Sequence, residues 1–243
     1  MTVRSWNRRR SVDPLVGHKD PNLCIQRNLF ASLSRSSILI TETVCVNLCL
    51  GHKLMRVDCE KTELVVARYD EDIDWLNQLP NIKISVYDKG EGESNRLPNI
   101  GRESHTYIHH IIKNYDVMND WTLFSQADPF DHCLNFLDIF TQETEVKIQT
   151  EKFFGISDKS SVIEILPGSC ESLYSIFRIL GLKTPTRLHY TCGSLMLVSS
   201  KAIRRISLEQ YKQLLELHEK FHLAPWMFEL CWPSIFGRRA TYL

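Results

Sequence analysis

Glu63-Leu64-Val65-Val66-Ala67-Arg68-Tyr69-Asp70-Glu71-Asp72 is a short apolar run closed by a cation and an acidic turn. A continuous apolar run bounded by charge marks a strand buried on both faces, as central parallel strands are. Ile73, Trp75, Leu76 and Leu79 then give a helix-like apolar face, with Asp70, Glu71 and Asp72 where acids suit a helix amino terminus. Pro80 and Asn81 end it. Ile82, Ile84 and Val86 alternate with Lys83 and Ser85, so a second strand runs to Tyr87. After a polar, Gly-rich stretch over 88–101, a helix is expected over 102–115, with Tyr107, Ile108, Ile111 and Ile112 on one side, and a third strand over 121–125. Strands alternating with crossovers predict an α/β fold of three layers: a mostly parallel, Rossmann-like sheet flanked by helices. In such sheets ligands bind at the carboxyl ends of strands, and here those ends carry carboxylates and cations.

Beyond Cys133 the pattern weakens. A helix is expected over 134–140, a short strand over 161–166, a helix opening at Cys170-Glu171 after Pro167-Gly168, a strand over 187–199 and an amphipathic helix over 208–221.

At 243 residues, 43% hydrophobic and 24% charged, the composition is that of a globular protein with one substantial domain. The formal charge is zero but unevenly spread: residues 1–36 hold seven Arg or Lys against Asp13 and Asp20. Arg8-Arg9-Arg10 and the Ser-rich 32–37 have the composition of a loosely attached extension, of a targeting segment, or of a basic tail that touches nucleic acid or a membrane. The division expected is a basic, poorly defined extension over 1–58 and one domain over 59–243. The apolar stretch 37–50 is interrupted by Thr41-Glu42-Thr43 and falls short of the roughly 20 apolar residues a membrane span needs; a strand pair or a partly buried helix is expected there, with a signal-type apolar segment as the alternative. Eight cysteines without any C-x-x-C pair exclude a zinc ribbon and a thioredoxin motif and lean toward a reducing, cytoplasmic compartment.

The densest chemistry follows the third strand: Gln126-Ala127-Asp128-Pro129-Phe130-Asp131-His132. Asp128, Asp131 and His132 suit Mg²⁺ or Mn²⁺, with substrate phosphates completing the shell. Alternatively, Asp128 caps a helix with Pro129 at its first position. His105 and His109 stand four apart on the expected helix beside Glu103 and His110, a spacing that lets two imidazoles face one metal but lacks the glutamate placement of H-E-x-x-H. Arg68, Lys89 and Arg102 are cations at or beyond strand ends and suit a pyrophosphate, or pair with Asp70, Asp72 or Glu103. Near the carboxyl end, Trp226, Phe228, Trp232 and Phe236 read as core, and Glu229 among them sits either where poor hydration makes a general base or in a structural salt bridge.

Taken in order, Glu63 to Asp72, Tyr87-Asp88-Lys89-Gly90, Leu97-Pro98-Asn99-Ile100-Gly101-Arg102-Glu103-Ser104-His105-Thr106-Tyr107, Gln126 to His132 and the closing Pro225 to Gly237 resemble a family catalogued as a domain of unknown function. That family is similar to GT-A glycosyltransferases, including a capsid-glycosylating domain of large DNA viruses. The resemblance implies a GT-A-like sheet, a nucleoside-diphosphate sugar donor, a glycan or glycoprotein acceptor and a divalent metal; no nucleic-acid partner is expected. It implies that Arg68, Tyr69 and Asp72 border the nucleotide, that Asp88 and Lys89 lie near base or ribose, that Arg102 lies near phosphate and that Asp128 takes the metal position. The Asp-x-Asp such enzymes use reads Gln126-Ala127-Asp128 here, with Asp131 following. The function expected is transfer of a sugar to a hydroxyl, metal-assisted, with Glu229 and Asp131 as catalytic candidates. Two alternatives stand beside it: a metal-dependent hydrolase in which His105 and His109 converge on Asp128 and Asp131, and a noncatalytic member that keeps the fold.

Overall fold

The computed structural model describes residues 52–92, 95–150, 152–158 and 160–237; the basic extension and the apolar stretch 37–50 lie outside them. Strand β1 (His52–Met55) is followed by β2 (Thr62–Arg68), whose residues 62–67 are all buried, as the apolar run requires. A 3₁₀ turn over Asp74–Gln78 leads to β3 (Lys83–Asp88), helix α1 (Arg102–Asn114) to β4 (Trp121–Gln126), and a short helix α2 (Asp138–Thr141) to β5 (Thr144–Thr150) and β6 (Phe153–Gly155). Strands β7 (Ser160–Glu164) and β8 (Arg187–Thr191) flank helix α3 (Glu171–Ile179), and β9 (Met196–Ser199) runs into helices α4 (Ser200–Ile203), α5 (Leu208–Lys220) and α6 (Ala224–Gly237).

Seven strands form one sheet in the order β1-β5-β6-β9-β4-β2-β3, and β7 pairs with β8 in a second. Pairing is parallel between β2 and β3 (Arg68 opposite Asp88) and between β2 and β4 (Ala67 opposite Gln126). It is antiparallel from β4 through β9, β6 and β5 to β1. The sheet is therefore mixed, a correction to the mostly parallel one expected. The chain reverses at Gly193 (φ 77°) and Ser194 (φ 54°), so the strand expected over 187–199 is two strands in two sheets.

One face of the sheet buries Leu64, Val66, Leu123 and Leu197 against Trp75, Phe136, Ile139 and Phe140. On the other, Tyr107 of α1 packs on Phe124 of β4, 4.8 Å between ring centroids. Helix α6 is apolar nearly all round and correspondingly buried.

Two further corrections concern helices. The first crossover is a 3₁₀ turn because its acids bond their own backbone: Tyr69 N–H donates to Glu71 Oε2 at 2.7 Å and Asp74 N–H to Asp72 Oδ1 at 2.8 Å, which competes with a regular helix start. The helix expected over 134–140 shrinks to α2 because the preceding loop is tied elsewhere. Ser157 Oγ–H and Asp158 N–H donate to His132 O, and Leu134 N–H donates to Asp158 Oδ2.

Candidate functional site

The chain leaves β2 toward β3 on one side, and returns through α1 to β4 on the other. The carboxyl ends of β2 and β4 thus flank a topological switch point, the place where open α/β sheets bind ligands. Residues following those ends divide into a set paired with one another and a set left exposed.

Arg68, Asp88 and Lys89 belong to the first set. The Arg68 guanidinium pairs with Asp88 Oδ2, its Nε–H donates to Glu71 O at 2.8 Å, and Gly90 N–H donates to Asp88 Oδ1 at 2.7 Å. Lys89 is buried and its ammonium donates to the carbonyls of Ile100 and Arg102. Burial pushes its pKa down to about 8, against the opposing charge of Glu103. These groups fasten the ends of β2 and β3 to each other and to the start of α1. The glycines here serve the same closure: a Cβ at Gly90 would overlap the Tyr69 carbonyl, and one at Gly92 the Asp88 carboxylate.

Tyr69, Asp72, Asp128 and Asp131 are exposed around the same strand ends. Asp128 Oδ1 accepts from Phe130 N–H at 3.1 Å, and the Asp128-Pro129 stretch forms a turn closed by His132 N–H and Cys133 N–H on Pro129 O, with no helix after it. Arg102 opens α1 in the left-handed region (φ 47°) behind Gly101 (φ 65°), with its side chain 58% exposed. Its Nε lies 3.5 Å from Glu103 Oε2, and its guanidinium lies over the Trp226 ring.

Glu229 and His132, far apart in sequence, meet at one glycine. Gly193 N–H donates to Glu229 Oε1 at 2.8 Å, and the Gly193 Cα lies so close against the His132 ring that any Cβ would overlap it. One turn further along α6, Trp232 Nε1–H donates to Ser194 Oγ at 3.1 Å. Helix α6 therefore grips two successive left-handed residues at two points, which is how a strained turn is held. Burial first, then the charge of Glu103, pushes the Glu229 pKa up to about 7, while the Gly193 N–H and Arg102 oppose that rise.

The histidines of α1 go elsewhere. His105 packs edge-on against His218 of α5, 5.7 Å between centroids, and the Ser104 hydroxyl meets His218 Nε2 at 2.8 Å. His110 Nδ1 takes the Tyr87 hydroxyl at 3.1 Å, and its Nε2 faces Glu63 at 3.9 Å. Among the described residues no group of three or more His, Cys, Asp or Glu side chains is gathered to hold a metal ion, so the convergence of His105 and His109 on Asp128 and Asp131 is not seen. The donor set does not make a protein cage. What it offers is the exposed carboxylates of Asp128 and Asp131, the set a Mg²⁺ or Mn²⁺ ion takes when substrate phosphates and water supply its other ligands.

Set beside known families, residues 64–153 match the one described as Protein of unknown function (DUF3431). The matched segment takes in the parallel strands with Arg68, Lys89, Arg102 and Asp128; the closing stretch Pro225 to Gly237, and with it Glu229, lies outside it. No curated protein and no solved structure matches the chain.

Sequence reasoning named Asp128, Asp131, Arg102 and Glu229 but missed what joins the last to the rest. The signal available was Cys192-Gly193-Ser194, a small-residue break inside an apolar run. No described helix is long and apolar enough to cross a membrane, and Cys59, Cys133, Cys170 and Cys231 are thiols.

Proposed function

We propose that this protein is a GT-A-like glycosyltransferase, moving a sugar from a nucleoside diphosphate to a hydroxyl acceptor. The observation that carries the reading is the switch point between β2 and β4, ringed by exposed Tyr69, Asp72, Asp128, Asp131 and Arg102, with the half-buried Glu229 beside the first turn of α1. Neither alternative has a comparable observation behind it.

In this reading Tyr69 offers a ring and Asp72 a carboxylate to the nucleoside, and Arg102 pairs with the diphosphate, a charge-assisted contact. Arg68, Asp88 and Lys89 hold these groups in place. Asp128, with Asp131 beside it, would hold a divalent cation, which when bound neutralises charge on the departing diphosphate. In an inverting transfer the bond between the anomeric carbon and the phosphate oxygen breaks, the acceptor oxygen bonds to that carbon, and the acceptor proton passes to Glu229. A carboxylate with a pKa near 7 suits that role, since at neutral pH a substantial fraction is ionised and it binds a proton far better than an ordinary glutamate does.

The test is thermal stabilisation of the purified protein against uridine, guanosine, adenosine and cytidine diphosphates and their sugars, with and without Mn²⁺, beside Asp128→Ala. A ligand that binds the native state alone raises the melting temperature. A rise that needs nucleotide and Mn²⁺ together, and is lost in the variant, is expected. No rise with any donor would overturn the reading.

A further inference from the structure

Trp226 differs from the aromatic residues around it. Phe228, Trp232 and Phe236 are buried in α6, with 5.5 Å between the centroids of successive rings, whereas Trp226 stays half-exposed. Helical spacing sets Trp226 and Glu229 one turn apart on the same face of α6. Opposite that face stands the first turn of α1. Arg102 lies 5.5 Å from the Trp226 ring centroid, and Arg102 and Glu103 both act on the charge of Glu229. An indole, a carboxylate and an exposed cation therefore meet at the start of α1, which is tied to the ends of β2 and β3 through Lys89: its N–H donates to the Arg68 carbonyl and its ammonium to the Arg102 carbonyl.

From this convergence we propose that Trp226 is the platform for a sugar ring of the acceptor, with Glu229 receiving one of that ring's hydroxyls and Arg102 acting as the platform's cover. The catalytic meaning rests on the transferase reading; the saccharide site itself does not. A pyranose has an apolar C–H face and a rim of hydroxyls. Indole supplies a broad apolar surface whose negative face attracts polarised C–H groups, and a carboxylate one helical turn away accepts from the rim. A solvent-exposed cation over an aromatic ring is a weak contact beside a guanidinium on a diphosphate. A bound diphosphate therefore draws Arg102 off the indole and opens it, so the acceptor binds after the donor.

The experiment is calorimetric titration of the full chain with glucose, galactose, mannose, N-acetylglucosamine and cellobiose, each with and without uridine or guanosine diphosphate and Mn²⁺. It is run on the native protein and on Trp226→Ala, Trp226→Phe and Arg102→Ala, with melting temperatures as a check on folding. At least one saccharide is expected to bind. Its affinity is expected to fall about tenfold in Trp226→Ala, in line with loss of an aromatic anchor, and to survive largely in Trp226→Phe. Arg102→Ala is expected to bind that saccharide without nucleotide as tightly as the native protein does with it. Failure of every saccharide to bind native protein and Arg102→Ala, or equal binding by native protein and Trp226→Ala, overturns the platform. If Trp226-dependent saccharide binding survives while no nucleotide binds, the platform stands and the transferase reading falls; nucleotide binding with Trp226→Ala indifferent gives the reverse.

Discussion

Glu229 is a carboxyl group whose folded pKa is raised to about 7, which fixes the sign of its contribution. Between pH about 4.5 and about 7 the native protein keeps a proton that the unfolded chain has lost, so this group's share of stability falls as pH rises across that window. Glu229→Gln keeps an oxygen for the Gly193 N–H and removes the charge. The variant is expected to match the native protein at pH 5 and to be more stable at pH 8 by about 2 kcal/mol, since a tenfold change in proton affinity is worth about 1.4 kcal/mol. Urea unfolding at the two pH values checks this, and a variant equally destabilised at both would sink it. A glutamate set among aromatics left two readings equally open in the sequence, a perturbed acid and a salt-bridged structural residue, and burial decides for the first. Its partner was not, because Gly193 and Ser194 act through backbone geometry, and φ leaves no trace in residue type beyond a glycine. For Arg68, Asp88 and Lys89 it was the pairing among themselves that the sequence left open. Their types and positions suited a ligand, but a charge at a strand end also pairs with the charge on the next strand, and register sets Arg68 opposite Asp88.

At the scale of elements, the continuous apolar run at 64–67 gave the central parallel strand away, because a strand covered on both faces is apolar along most of its length. Helix α1 was equally plain from Tyr107, Ile108 and Ile111, all fully buried. What failed was every element whose local bonding beat its apolar pattern: the 3₁₀ turn, where Asp72 and Glu71 take nearby N–H groups, and the 134–140 loop, held by Asp158 and Ser157. The antiparallel half of the sheet was missed as well, since β6 is three residues long and its pairing with β9 is decided about 40 residues away in the chain. Helix α1 supplies the prediction here. Its first turn is fastened by the Lys89 ammonium on two carbonyls, and Lys89→Met leaves both without that donor. The expected loss is about 1–2 kcal/mol, the cost of an unsatisfied buried acceptor offset by relief of a buried charge. Hydrogen exchange should quicken at residues 103–106 before it changes in β2 or β4; uniform quickening across all three would argue against a local clamp.

For the whole molecule, buried imidazoles decide the response to acid. His105 is held down to about 3 by burial and then by the charge of Lys89. Burial holds His218 down to about 4 against its hydrogen bond to the Leu215 carbonyl, and also lowers His110, opposed by Glu63. The unfolded chain binds a proton at each of these three sites once pH falls below about 6.5, while the native protein does not, so they remove stability as pH falls from about 6.5 toward 4. Glu229 runs the other way over much of the same window and cancels one of the three. From these four groups alone, unfolding takes up roughly two protons between pH 6 and 5, a slope of about 2.7 kcal/mol per pH unit, and His109, also lowered by burial, acts in the same direction. Against a typical total of about 5–15 kcal/mol, such a slope exhausts stability within a few pH units and predicts cooperative acid unfolding near pH 4–5. Stability should peak close to neutral, where the imidazoles are neutral in both states and Glu229 has not yet fully lost its proton. Unfolding free energies at half-unit steps from pH 5 to 8 give the proton uptake directly from their slope. In Glu229→Gln the same slope should steepen toward three protons, because the opposing group is gone. A flat profile between pH 5 and 6 in the native protein would mean that the α1 and α5 histidines are charged in the fold, and that the packing of His105 on His218 is held by something other than neutral rings.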